Sequence, residues 1–322
     1  MRSKAFERGI QGTALAGGLA ILWAVSRRIS KQFGDLAGKR ILITGGSRGL
    51  GLALAQECAR RGAHLVLCAR DREELERAKR RFLPPETEVD LRVCDLGDPQ
   101  RIREFIGSIS PSDRPIDVLI NNAGIIDVGP LESFDSKGFE TAIGINLLGM
   151  IRVTLEALPF IRRGGRIVNI TSIGGSVAVP HLLPYSVSKF GALGFSLGLD
   201  AELASRKISV TSVLPGLMRT GSFVQASFRG DARREYRWFS LSASLPGISI
   251  PADFAARRII RAALRRKRFL VLGTPARLLR HFYQAFPGTA LALTRSIARR
   301  LPALPSNPDR AIQGKHLEKP AA

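Results

Sequence analysis

The sequence predicts an α/β fold built on a doubly wound parallel sheet, and two observations carry that prediction. From Lys39 onward, apolar runs of four to seven residues alternate with helical stretches, the rhythm of buried parallel strands joined by crossover helices. The first run, KRILIT, opens directly into a glycine-rich turn, Thr44-Gly45-Gly46-Ser47-Arg48-Gly49-Leu50-Gly51, with a helix behind it. At 322 residues and 45% apolar, the chain can bury one large core, so a single domain with appendages fits better than two equal domains.

The elements follow in order. KRILIT (39–44) is the first strand and Gly49 to Arg61 the first helix. HLVLCA (64–69) is a second strand, followed by the charged helix DREELERAKRRF. EVDLRVC (88–94) and IDVLIN (116–121) are strands, with a helix from about 100 to 109 between them. A long helix over about 138–161, the strand RIVNIT (166–171), a helix from Tyr185 to Ser205 and the strand ISVTSVL (208–214) continue the rhythm. RFLVLG (268–273) reads as a last strand, and no internal repeat is visible. This gives a core domain over 36–273, an N-terminal segment 1–35 and a basic extension 274–322. The Pro-rich end of that extension, LPALPSNPDR, reads as a disordered tail.

Charge sets the partner question. The net charge is +22, mostly arginine, and from Phe254 to Arg300 twelve Lys/Arg meet no acidic residue. A solvated basic face, an anionic membrane surface and a nucleic acid all answer to that pattern. No recognised nucleic-acid motif is present, and no nucleic acid is expected. PARLLRHFYQAF and ALTRSIARRL read as basic amphipathic helices, able to lie on an anionic bilayer or to pack on the domain. Gly9 to Val25 is a run of 17 uncharged residues with Arg2, Lys4 and Arg8 before it and Arg27, Arg28 and Lys31 after. As a helix it would be about 25 Å long against about 30 Å of hydrocarbon, the short limit for a span. A membrane anchor is the preferred reading, with a cleaved signal peptide or a surface leader as alternatives. Cys58, Cys68 and Cys94 show neither a metal spacing nor a disulfide framework, so no metal is expected and a reduced, cytoplasm-facing environment is the default.

The glycine turn suits a pyrophosphate, because glycines let the backbone approach phosphate at a helix N-terminus. An NAD-type site then wants an acid at the end of the second strand to hold the ribose 2′-hydroxyl. That strand ends Cys68-Ala69-Arg70, and Asp71 falls one step later, where it caps the next helix. Arg70, with Arg48 inside the turn, offers two guanidiniums to a 2′-phosphate, which favours NADP(H).

In PYSVSK (184–189), Tyr185 and Lys189 lie one helical turn apart on one face. The pair is either a surface contact or an acid tuned to release a proton. The chain resembles the short-chain dehydrogenase/reductases, specifically the branch with a TGxxxGxG turn and a YxxxK pair, over about Leu36 to Thr220 and more loosely to Gly273. The matching residues are the turn at 44–51, Asp95 with Leu96 after the third strand, Asn121-Asn122-Ala123-Gly124 after the fourth, and Asn146 in INLLG. They continue with Ser172 in NITSIGG, 13 residues before Tyr185, and with Pro215-Gly216 and Thr220 in PGxxxT. The resemblance implies a Rossmann-type domain binding NADP(H) through Gly45, Ser47, Arg48, Gly49, Leu50, Gly51, Arg70, Asp95, Leu96, Asn121 to Gly124, Tyr185, Lys189, Pro215, Gly216 and Thr220.

It further implies a catalytic set of Asn146, Ser172, Tyr185 and Lys189. Tyr185 is then the acid/base, Ser172 the partner of the substrate oxygen, Lys189 the charge that tunes the phenol and binds the nicotinamide ribose, and Asn146 the holder of a relay water. Lowering a phenol from about 10 to neutrality takes about 4 kcal/mol, which one charge about 4 Å away supplies at an effective dielectric of about 20. The implied reaction is reversible hydride transfer between nicotinamide and a carbonyl or alcohol carbon. In this family the segment after PGxxxT, here about 221–251, covers the substrate. It holds Phe223, Phe228, Tyr236, Trp238 and Phe239, which serve either as an apolar wall for a lipid-like carbonyl or as ordinary lid packing. His181 lines the pocket mouth or sits in a surface loop. Membrane association with the catalytic domain facing the cytoplasm is expected, with a soluble cytoplasmic protein as alternative. A homodimer or homotetramer is implied by the family. The competing functional readings are an NADP(H)-binding scaffold without important catalysis and a reductase of small polar carbonyls.

Overall fold

The computed structural model describes residues 36–109, 114–245 and 247–317. The apolar run Gly9 to Val25 lies outside them. The compact unit that begins at Ala37 contains all the elements that follow.

Seven strands make one parallel sheet: β1 (Arg40–Thr44), β2 (His64–Ala69), β3 (Val89–Val93), β4 (Ile116–Asn121), β6 (Ile161–Ile170), β7 (Ser209–Pro215) and β11 (Phe269–Leu272), with β5 (Asp127–Val128) outside it. Their order is β3-β2-β1-β4-β6-β7-β11. The chain therefore builds outward from β1 in one direction, returns to its other side at β4 and builds the opposite way. The reversal opens a cleft at the carboxyl ends of β1 and β4, where such sheets bind ligands. Ile41, Leu42 and Ile43 of β1 are completely buried, and every residue of β4 is buried, because helices cover both faces of the central strands.

One face carries α3 (Pro99–Ser108), α5 (Met150–Ala157) and α6 (Leu183–Glu202), whose Ile102, Val153 and Leu199 join Leu42, Leu119 and Ile167 in a single core. α1 (Gly49–Ala59) packs with α9 (Ala252–Leu264), while α2 (Arg72–Phe82) lies along β2 and β3. α9 answers part of the charge question. Its Ala255, Ala256, Ile259, Ile260 and Ala263 are buried, and Arg257, Arg258 and Arg261 between them are exposed. Those arginines are the polar face of an amphipathic core helix.

The long helix expected over 138–161 is interrupted. α4 (Ser136–Ile143) runs into a π turn, Gly144–Gly149, before α5 begins. Pro159 in a terminal 3₁₀ turn then ends the helix, and β6 starts at Ile161, earlier than the apolar pattern RIVNIT suggested. By length and composition the run Ser136–Phe160 is apolar enough to cross a membrane. Its Val153 and Ala157 are part of the sheet's core, as in a core helix.

The lid contains β8 (Met218–Arg219), α7 (Ser222–Gln225), β9 (Ser227–Gly230), α8 (Ala232–Ser244) and β10 (Ile250–Pro251). β5 pairs with one side of β9, and β12 (Asp309–Gln313) pairs antiparallel with the other. This corrects the expectation of a disordered tail. DRAIQ is short and charged, but Ile312 sits opposite Phe228 and joins the lid's apolar cluster, while the Asp309 carboxylate accepts the Ala232 N–H at the start of α8. The remaining extension forms α10 (Thr274–Ala285) and α11 (Pro287–Ala298).

Ending the chain after Pro308 removes β12 and exposes one edge of β9. Amide exchange in β9 is expected to speed up at least about tenfold while β1 and β4 stay protected. Unchanged protection of β9 would show that the third strand contributes nothing to the lid.

Candidate active site

The glycine turn joins the end of β1 to the start of α1. Gly45 has φ of +67°, and a Cβ on Gly51 would overlap the Gly45 carbonyl oxygen, so the turn closes only with glycine there. α1 begins without a side-chain cap and without an acid in its first turn, which leaves its N-terminus suited to an anion. Thr220 lies against Gly49 and brings the end of β8 to this turn. These features fit a dinucleotide pyrophosphate. Asp95 caps its own turn through the Gly97 N–H at 2.9 Å, beside the buried Leu96.

The ribose end differs from expectation. Arg48 donates to both carboxylate oxygens of Glu74, at 2.7 and 2.8 Å, and Ser47 Oγ donates to the same carboxylate at 3.1 Å. Arg48 is thus engaged by Glu74 and does not stand free beside the exposed Arg70. Asp71 caps α2 by accepting the Glu74 N–H, as anticipated, and that cap turns Glu74 toward the glycine turn.

The four expected catalytic residues converge. Ser172 follows β6 and accepts the Gly174 N–H at 3.0 Å, and its hydroxyl and the Tyr185 ring both lie against Gly174. Tyr185 is in the first turns of α6. Lys189, one turn on, is 3% exposed and donates to the Ile170 carbonyl at 3.1 Å, with Nζ 5.8 Å from the Tyr185 ring centre. Burial dominates both groups. It raises the Tyr185 hydroxyl above its ordinary value, against the opposing effect of the nearby Ser172 hydroxyl, and lowers Lys189 to about 8. The expected lowering of the phenol by a charge about 4 Å away is therefore not seen. Desolvation outweighs it, and the lysine reaches for a carbonyl.

Asn146 lies in the π turn and is fully buried. Its Oδ1 accepts the Ile125 N–H at 2.8 Å, and its Nδ2 donates to the Ile125 carbonyl at 3.1 Å and to Ser188 Oγ at 3.0 Å. The amide that was expected to hold a relay water instead clamps the backbone next to Gly124. A Cβ on Gly124 would stand 3.0 Å from Asn146 Oδ1 and 3.4 Å from Lys189 Nζ, so only glycine lets the two approach. Asn122 and Ala123 tie to Thr44 at the end of β1. Asn121 points elsewhere, its amide donating to Thr154 and Asn169 in the buried interior. Its side chain serves packing, in place of the cofactor contact expected of it.

The chain matches the short chain dehydrogenase family over residues 39–229. It belongs to that family. The dehydrogenase is 37% identical over 183 residues to a putative ketoacyl reductase of the granaticin polyketide synthase from Streptomyces violaceoruber, covering 56% of this chain and 67% of that one. It is 38% identical over 190 residues to a fatty acyl-CoA reductase of Acinetobacter baylyi, covering 58% and 64%. Among solved structures, a short chain dehydrogenase from Burkholderia cenocepacia in complex with NADP superposes with a TM-score of 0.66 at 25% identity, covering 81% of this chain and 99% of that one.

In this dehydrogenase the lid aromatics pack largely on one another. Phe228 is fully buried, with Tyr236 at 5.4 Å and Phe239 at 5.9 Å between ring centres, and Tyr185 borders the same cluster. Lid packing thus accounts for Phe228 and Phe239, which face no substrate space. A cavity of about 280 Å³ lies between Arg70, Ile125 and Ile126 behind Gly124, and Gln225, Ser227 and Arg229 of the lid. His181 has a left-handed backbone, φ +61°, one turn before Tyr185. Its Nδ1 meets Glu235 Oε1 at 2.6 Å, and Trp238 Nε1 donates to Glu235 Oε2 at 2.5 Å. Glu235 is fully buried and pins the lid helix to the catalytic segment. Neither Glu74 nor Glu235 was found from sequence. A capping box at Asp71 to Glu74 was the available signal for the first, whereas a lone Glu among arginines in RREYRWF gave none for the second.

Replacing Lys189 by Met separates stability from activity. The folded-state value of about 8 lies below the ordinary 10.5, so the unfolded chain holds the proton more tightly between those values and wild-type stability rises with pH across that window. Lys189→Met is expected to gain up to about 3 kcal/mol at pH 7 relative to wild type and less at pH 10, while losing turnover. Denaturant melts at both pH values check it, and an equal difference at the two would contradict the burial argument.

Proposed function

We propose that the chain is an NADP(H)-dependent reductase of a hydrophobic, lipid-like carbonyl, with Tyr185 as proton donor. The observation that carries this reading is the convergence of Ser172 and Tyr185 on Gly174 beside the buried Lys189, whose Nζ lies 5.8 Å from the Tyr185 ring centre. Bound nicotinamide supplies the hydride. The turn from Gly45 through Ser47 and Gly49 to Gly51 would hold the pyrophosphate, with Asp95 and Leu96 at the adenine. Asn122 to Gly124, Lys189, Pro215, Gly216 and Thr220 would meet the nicotinamide half. Ser172 accepts from Gly174, which leaves its own proton free to steady a developing alkoxide. Burial keeps the Tyr185 phenol protonated, the form that can donate to a carbonyl oxygen. The fatty acyl-CoA reductase among the relatives supports an acyl-type substrate.

A second reading of the cofactor rests on Glu74, an acid beside the glycine turn that suits a ribose 2′-hydroxyl and therefore NAD(H). Small polar carbonyls are the alternative substrate, favoured by Arg229 and Gln225 in the cavity wall. Exposed Leu155, Phe190 and Leu197 on α5 and α6 support self-association as a homodimer or homotetramer. The basic extension and the N-terminal apolar segment support association with a membrane surface from the cytoplasmic side, a soluble cytoplasmic protein being the alternative.

Tyr185→Phe is expected to lower kcat about 10³-fold in a reduction assay and leave NADPH affinity unchanged. Turnover within a few-fold of wild type would remove Tyr185 from the chemistry. Glu74→Gln releases Arg48 and is expected to raise the NADPH-to-NADH preference about tenfold in kcat/KM. A wild-type enzyme that prefers NADH, and loses that preference in the variant, would establish the Glu74 reading instead.

A further inference from the structure

We propose that α10 and α11 form the surface on which the protein lies against an anionic lipid bilayer. The proposal rests on the membrane-associated reading above and assigns it to a specific face. Each helix is 12 residues long and buries a single residue, Ala276 in one and Ala290 in the other. They pack against each other, yet Leu278 is 65% exposed, Phe286 58% and Leu293 51%, with Leu279, Leu291 and Ile297 also in solvent. Leu278 and Phe282 are one four-residue step apart on one stripe of α10, which Phe286 follows at its end, and Leu293 and Ile297 are likewise spaced along α11.

The charge of the pair selects the occupant. Arg277, Arg295, Arg299 and Arg300 flank these stripes, and no acid occurs from Phe254 to Arg300. Apolar side chains set among arginines match the boundary between acyl chains and anionic headgroups, where each cation contributes about 1 kcal/mol. At about 18 Å each, the helices are too short to span about 30 Å of hydrocarbon, so they lie in the interface plane.

The pair is also held rigidly. Arg277 Nε donates to the Val271 carbonyl at 3.1 Å, Arg280 stacks over Phe269 at 4.6 Å, and Ala276 packs against Gly216. Beyond α11, Leu304 approaches Gly230 on the lid strand before β12 begins. Both ends of the helix pair are therefore fixed beside the PGxxxT turn and the lid. Docking there holds the lid at the membrane surface, where a carbonyl dissolved in the bilayer is most concentrated.

The test uses the full chain carrying Leu278→Cys. Cys58, Cys68 and Cys94 are all buried, so an environment-sensitive fluorophore reports on position 278 alone. The labelled protein is mixed with phosphatidylglycerol/phosphatidylcholine vesicles or with phosphatidylcholine alone, and turnover of a water-soluble carbonyl is followed separately. The expected result is a blue shift and quenching by lipid-borne quenchers with the anionic vesicles only, with affinity falling at least about tenfold as salt is raised to about 0.5 M. A label that stays in water while the protein co-sediments overturns the assignment and leaves membrane association to another segment. A label shielded before vesicles are added also overturns it. In that case the cover is a second copy if shielding grows with protein concentration, and a segment of the same chain if it does not. No co-sedimentation at all removes the membrane reading itself.

Discussion

Everything at the active site depends on how the ends of β1 and β4 are joined. Thr44 Oγ1 accepts the N–H groups of Asn122 and Ala123 at 3.0 and 3.1 Å, and the Asn122 amide donates back to the Thr44 and Gly45 carbonyls at 3.0 and 3.1 Å. Four hydrogen bonds thus fix the two strands where the sheet reverses its winding, the point at which a parallel sheet would otherwise splay open. From that joint the chain runs through Gly124 to Ile125, which Asn146 grips at both its N–H and its carbonyl. Asn146 in turn holds Ser188, the neighbour of Lys189. The glycine turn, the segment Asn122 to Ile125 and α6 are consecutive links of one hydrogen-bonded path.

The electrostatics of the site follow from its dryness. A phenol and an amine are both buried where charge is poorly solvated, and each is moved toward its neutral form. A resting site of this kind stores no ion pair. Its reactivity waits on what enters the cleft, and the protein's own contribution is geometry: a tyrosine set beside Gly174 and Ser172 on one side and against the lid cluster on the other. The buried Glu235 extends that geometry outward, because its contact with His181 joins the segment before α6 to the lid helix, and Trp238 on that helix holds its second oxygen.

What could be read from the sequence was local. Tyr185 with Lys189, Ser172 before them, the glycine turn and the Asp71 cap are all fixed by spacing along one helix or turn, and spacing is what a sequence displays. Arg48 was legible as a cation but not as a partner of Glu74, since that contact is set by how α2 rests against the turn. Asn121 looked like its neighbours in the Asn-Asn-Ala-Gly run, yet strand alternation turns it to the opposite side from Asn122. DRAIQ is a strand only because β9 offers it an edge. Five residues following three prolines carry too little pattern to announce that.

Asn121 leads to a row of polar residues crossing the interior. Thr154, Asn121, Asn169, Ser196 and Ser212 are linked by hydrogen bonds of 2.7 to 3.0 Å, and Asn121, Asn169 and Ser212 are direct register partners on β4, β6 and β7. Apolar parallel strands have little to choose between one alignment and the next, since Val, Ile and Leu tolerate a slip. A row of amides and hydroxyls does not, because sliding any strand by a single residue would leave several of them buried and unbonded. The row acts as a key cut across three strands. It favours the alignment in which these amides and hydroxyls bond to one another, and so it sets where Ser172 and Tyr185 arrive relative to the cleft.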